Sequence, residues 1–179
     1  MDTSQQSDRN LFLVGPMGSG KTAIGRRLAR ALGREFVDSD EVIENRTGVD
    51  IAYIFEKEGE QGFRKRERAV IRELVSRPDI VLATGGGAVL DAGNRKALAA
   101  HGKVVYLHAS VSQQLRRTRG NKRPLLNSGN RRQVLEKLMQ VREPLYREIA
   151  DLVVATDGRT VPSVVREISN WLADSQTRT

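Results

Sequence analysis

The residues whose spacing most clearly serves chemistry are Gly15-Pro16-Met17-Gly18-Ser19-Gly20-Lys21-Thr22, which fit G-x-x-x-x-G-K-[ST]. An apolar run, Leu11-Phe12-Leu13-Val14, precedes them and a helical pattern follows. In that setting the glycines let backbone N–H groups wrap phosphate oxygens, and the lysine reaches the β- and γ-phosphates of a nucleotide. The Thr22 hydroxyl is placed for Mg²⁺, and the helix N-terminus adds its partial positive charge. The strand–turn–helix context separates this segment from a glycine turn with an incidental lysine.

Such loops usually share Mg²⁺ with an acid at the end of another strand. Here the apolar run Ile80-Val81-Leu82-Ala83 leads into Thr84 and Gly85-Gly86-Gly87 instead. The available acids are Asp38 and Asp40, after Glu35-Phe36-Val37. If the strand persists, period-2 geometry aims both into one crevice, where one serves a metal and the other an acceptor hydroxyl. An Asx turn with Asp40 capping the next helix explains the same spacing. The three glycines present bare backbone, which suits either a close ligand approach or a hinge.

The elements that must hold these groups alternate along the chain. Short apolar strands at 11–14, 35–38, 80–83, 104–107 and 152–155 are separated by amphipathic stretches. Helices are expected from about Lys21 to Leu32, in pieces over 40–77 broken at Gly48, Gly59 and Gly62, near 92–100, and from about Ser112. Helical material continues to Ala150, and a closing helix spans Val161 to Ala173. Uniformly apolar strands alternating with helices predict an α/β fold, a parallel sheet covered on both faces. Ligands of such sheets bind at the carboxyl ends of the strands. One domain over 10–174 is expected, with disordered tails at 1–9 and 175–179.

Composition narrows the function. With 39% hydrophobic and 29% charged residues the chain reads as globular. No apolar run approaches the roughly 20 residues that cross a bilayer, and the first residues lack the pattern of a secretion signal. The absence of cysteine excludes disulfides and thiolate metal sites and fits a reducing cytoplasm. The net charge of +8 is concentrated: between Ala109 and Leu135 lie seven Arg or Lys and no acid. No aromatic residue accompanies them, so unpaired bases have no stacking platform, and a loop that grips phosphates is the better reading.

The glycine loop, Asp38-x-Asp40, Phe63-Arg64-x-x-Glu67, Gly85-Gly86-Gly87, Arg123-Pro124-Leu125-Leu126 and Arg142-x-x-x-Tyr146 occur in one order. In that order and spacing the chain resembles the shikimate kinases, from about Asn10 to Trp171. The resemblance implies a single-domain P-loop NTPase-like three-layer sandwich with a mobile lid at about 116–131. It implies ATP-dependent phosphorylation of the 3-hydroxyl of shikimate in aromatic amino-acid biosynthesis. Gly18, Ser19, Gly20, Lys21, Thr22 and Ala23 would hold ATP, with Arg116 stacked on the adenine and Arg159 near it. Thr22 and, through water, Asp38 would serve one Mg²⁺. Asp40 would act as base, and Arg64, Arg142 and Gly85 to Gly87 would bind shikimate. Lys21, Asp40 and Arg123, the last on the lid, would carry catalysis. The expected partners are ATP and shikimate, without nucleic acid or membrane, in a cytoplasmic monomer.

Three other readings fit less. Gluconate or nucleoside monophosphate kinases share the loop but not the triple glycine with Phe63-Arg64-x-x-Glu67. A GTP switch typically carries Asn-Lys-x-Asp, whereas Asn121-Lys122-Arg123 precedes Pro124. A nucleic-acid module leaves the phosphate loop without a use.

Overall fold

The computed structural model of the chain describes residues 9–120 and 130–177. Arg123 and most of the expected lid lie outside the described residues.

Strand β1 (Leu11–Val14) leads through the glycine loop into α1 (Lys21–Leu32), and β2 (Glu35–Asp38) follows. Helices α2 (Ser39–Thr47) and α3 (Ile51–Leu74) precede β3 (Ile80–Ala83). A 3₁₀ turn at Ala88–Leu90 and α4 (Ala92–His101) lead to β4 (Lys103–His108) and α5 (Val111–Arg117). The chain ends with α6 (Arg131–Ile149), β5 (Leu152–Ala155) and α7 (Val161–Gln176). All five strands are parallel, in the order β2-β3-β1-β4-β5.

Alternation along the strands builds two cores. Phe12, Val14, Ile80, Leu82, Val104 and Tyr106 face α3, α4 and α6, whereas Leu11, Leu13, Val81, Val105 and Leu107 face α1 and α7. The expectation of uniformly covered strands holds for β1 and β3, which are wholly buried. The edge strands β2 and β5 are only partly covered, and Val153 is exposed.

The breaks in the helices differ from the sequence pattern in three places. Gly48 ends α2, and Gly59 interrupts α3 with φ 71°, but Gly62 lies within regular helix. Residues 39 and 40 already belong to α2, so the strand does not persist to Asp40. The closing helix runs to Gln176, two residues into the stretch expected as a tail.

With β1 central, the chain leaves it toward α1 on one face and leaves β3 toward α4 on the other. The carboxyl ends of β1 and β3 therefore flank the crevice where such sheets bind ligands. Asn10 fixes the opposite ends of these strands. Its buried amide donates to the Arg77 carbonyl at 2.8 Å and the Val75 carbonyl at 3.4 Å, and its Oδ1 accepts from Ile80 N at 3.1 Å. Asn10→Ala strands those backbone groups without partners and should cost about 2–4 kcal/mol in chemical denaturation. Unchanged stability would show that the strands hold their register without it.

Candidate functional site

Three groups of residues meet at this edge of the sheet. The first is the glycine loop. Gly18 and Gly20 adopt φ of 78° and 89°, a left-handed conformation that a side chain would strain. Gly20 also makes α1 unlike the other described helices. Helices α2 to α7 are each capped by an Asp, Ser, Asn or Thr side chain, whereas α1 has no side-chain cap. Its first N–H groups remain for an anion, with the helix dipole behind them. The Lys21 ammonium curls over the loop, donating to the carbonyls of Gly15 at 2.7 Å and Pro16 at 2.8 Å. Ser19 is fully buried, with its hydroxyl 3.4 Å from the same ammonium.

The second group is the pair of acids. Asp38, not Asp40, caps α2: its Oδ1 accepts from the backbone N–H of Asp40 and Glu41. Its other oxygen, Oδ2, accepts from the Thr22 hydroxyl at 3.1 Å. Asp40, in the first turn of α2, turns instead toward the triple glycine. A methyl group placed on Gly85 would lie 2.9 Å from Asp40 Oδ1 and 2.9 Å from Glu67 Oε2. Both carboxylates thus crowd one point beside bare backbone. The two acids face different neighbours, and the strand-to-helix turn rather than strand alternation separates them.

Two arginines form the third group, brought together from α3 and α6. Arg64 Nη1 donates to Glu67 Oε1 at 2.9 Å, while its Nε and Nη2 lean on Glu60. Its guanidinium lies against Gly87, where a methyl group would come within 2.6 Å of Cζ. Glu67 is only 1% exposed, and burial pushes its carboxyl above the usual range against the pull of Arg64 and Arg142. Arg142 is 3% exposed. A methyl group on Gly86 would lie 3.5 Å from Arg142 Nη1, 3.5 Å from Met17 N and 3.6 Å from Gly15 O. The glycine loop, the triple glycine and the buried arginine therefore meet around one point.

Beyond the loop, Gly20, Ala23, Ile24, Arg117, Thr156 and Arg159 line a cavity of about 250 Å³. The sequence reading placed Arg116 over an adenine here. Arg116 and Arg117 are both exposed, but Arg116 donates to Gln113 Oε1 and does not line the cavity. Its neighbour Arg117 lines the cavity and donates to the Gly18 carbonyl at 2.9 Å. Helix α5 has seven residues, too few for a period to distinguish adjacent arginines. Arg159 does line the cavity, held by Glu167 and the Ser163 carbonyl. Sequence reasoning also gave no role to Glu67 or Tyr146, although both stand in its motifs.

Among the described residues no three His, Cys, Asp or Glu side chains group to hold a metal ion. The Thr22–Asp38 oxygen pair still fits Mg²⁺, which keeps several waters and takes substrate phosphates rather than an all-protein cage. No described helix is long and apolar enough to cross a membrane.

Comparison with known proteins agrees with this geometry. The shikimate kinase family model matches residues 17–173. The shikimate kinase of Francisella tularensis subsp. novicida is 56% identical over 168 residues, 93% of this chain and 96% of the relative. That of Francisella philomiragia is 55% identical over the same length. A shikimate kinase structure from Acinetobacter baumannii in complex with shikimate is 48% identical, with a TM-score of 0.92 over 97% of this chain and 98% of that one. A gluconokinase from Sinorhizobium meliloti, at 20% identity and a TM-score of 0.62 over 94% of each chain, shares the fold alone. With a phosphate loop, an acid pair and two arginines in one crevice, and with these relatives, the chain belongs to the shikimate kinase family.

Proposed function

We propose that the protein transfers the γ-phosphate of ATP to the 3-hydroxyl of shikimate, giving shikimate 3-phosphate and ADP. The observation that carries this reading is the convergence at Gly86, where Arg142, the Met17 amide and the Gly15 carbonyl lie within about one atom's reach of one point. An anionic acceptor gripped there sits directly against the loop that holds the phosphates.

Each group then has a task. The uncapped N-terminus of α1 and the loop amides hold the β- and γ-phosphates, and Lys21 leaves its carbonyl partners to follow the transferring charge. Thr22 and, through water, Asp38 hold Mg²⁺, which neutralises charge on the phosphate oxygens. The base lies in the cavity by Ala23, with Arg117 rather than Arg116 along it and Arg159 at its rim. Asp40 accepts a hydrogen bond from the reacting hydroxyl and takes its proton. Arg64 and Arg142 hold the acceptor carboxylate with the bare backbone of Gly85 to Gly87, two guanidinium forks being suited to one planar anion. The protein works as a cytoplasmic monomer without nucleic acid or membrane.

The direct test is ADP release, coupled to a reporter, with shikimate and with gluconate as acceptors. Shikimate should support turnover and gluconate should not; the reverse would move the chain to another acceptor. A charge-assisted hydrogen bond contributes about 1.5–3 kcal/mol, so Arg142→Ala should raise the KM for shikimate by roughly 10- to 150-fold. The Kd for ATP should stay nearly the same, and a loss confined to ATP would place Arg142 on the nucleotide side.

Removal of divalent metal should abolish turnover, and added Mg²⁺ should restore it. Asp38→Asn should shift the Mg²⁺ titration to higher concentration, because one charge beside the ion is lost. An unchanged titration would remove Asp38 from the metal site.

A further inference from the structure

Two tyrosines stack in the core beneath the acceptor site, with ring centroids 4.9 Å apart and planes at 27°. Tyr106 comes from β4 and Tyr146 from α6, and both are fully buried. Their rings do the same work of filling space between sheet and helix. Their hydroxyls do not. The Tyr106 hydroxyl has no hydrogen-bond partner among the described residues. The Tyr146 hydroxyl donates to the Gly86 carbonyl at 2.5 Å, and the Arg142 guanidinium lies close enough to act on it electrostatically.

Burying a hydroxyl is unfavourable unless its hydrogen bonds are made, and a phenylalanine would pack the same volume without that cost. What the Tyr146 hydroxyl adds is therefore a link. Arg142 lies one helical turn before it on the same face of α6, and Gly86 lies at the carboxyl edge of the sheet. One oxygen atom joins the two at the point where the phosphate loop also arrives.

We infer that Tyr146 is a positioning residue for the acceptor: its hydroxyl holds the Gly86 backbone and the Arg142 guanidinium in the one relative geometry that grips the acceptor carboxylate. This rests on the acceptor site assigned above. Tyr146 takes no part in proton transfer. Burial pushes its hydroxyl up to about 12, so it keeps its proton throughout the range in which such an enzyme works.

The test compares Tyr146→Phe with Tyr106→Phe and Arg142→Ala. Losing the hydrogen bond to Gly86 beside the Arg142 charge should raise the KM for shikimate about 5- to 50-fold in Tyr146→Phe. Its kcat, its pH profile and its Kd for ATP should stay within about twofold of the wild type. Tyr106→Phe should leave all of these at wild-type values, since its hydroxyl makes no bond to lose. Thermal unfolding of both variants separates packing from positioning. If Tyr146→Phe keeps the wild-type KM for shikimate, or loses ATP affinity and shikimate affinity together as its melting temperature falls, Tyr146 is a packing residue only. Where Arg142→Ala raises KM and Tyr146→Phe does not, the positioning role fails and the acceptor site stands. Where Arg142→Ala also leaves KM unchanged, the acceptor site itself fails and the positioning role with it.

Discussion

The Leu13 carbonyl oxygen accepts two hydrogen bonds from Thr84, one from its backbone N–H and one from its hydroxyl, each at 3.1 Å. This double bond between neighbouring chain segments ties the end of β1 to the end of β3. It sits one residue before the triple glycine and two before the glycine loop. An ordinary phosphate loop is faced here by an acid that helps to hold Mg²⁺. In this chain the position gives its hydrogen bonds to the sheet, and the acid bonded to the Thr22 hydroxyl is Asp38 at the end of β2. The adjacent backbone can then be bare glycine and approach the phosphate loop closely.

That exchange accounts for the division of the crevice. The side of the glycine loop is made mostly of backbone: loop amides, the uncapped start of α1, and carbonyls that hold Lys21 and Arg117. The side of the triple glycine is made of charged side chains packed against bare backbone. Arg64, Glu67 and Asp40 press on Gly85 and Gly87 so closely that a methyl group would displace them. Glu67 has a different kind of role. It pairs with Arg64 at 2.9 Å, and that attraction works against the burial that raises its carboxyl above the usual range.

The fold and half the site were legible in the sequence. The phosphate loop is a local device: eight consecutive residues carry its chemistry, and the apolar run before it announces the strand. The five strands showed through their apolar runs, although β2 and β5 proved to be half-covered edges. What escaped was phase and distance. Asp38 and Asp40 were open to two readings, strand neighbours or a turn with Asp40 as the cap, and the cap is Asp38, which spacing alone does not mark. Arg116 came from the resemblance alone, and one or two helical turns do not reveal which of two adjacent arginines faces the cavity that Arg117 lines. Gly59 broke α3 and Gly62 did not, since glycine permits a break without requiring one. Arg64 and Arg142 lie on separate helices, so only the resemblance joined them before the structure did. The hydroxyl link from Tyr146 to Gly86 has no sequence signal, because phenylalanine and tyrosine fit the same apolar pattern.

The central claim is that the crevice recognises a carboxylate on the acceptor and sets it against the phosphate loop. It is tested most directly with the wild-type enzyme and a shikimate analogue whose carboxylate is reduced to an alcohol. Two charge-assisted contacts are then lost at once, so kcat/KM for the analogue should fall by roughly 10²- to 10⁴-fold, with the KM for ATP unchanged. An analogue phosphorylated as efficiently as shikimate would contradict the account.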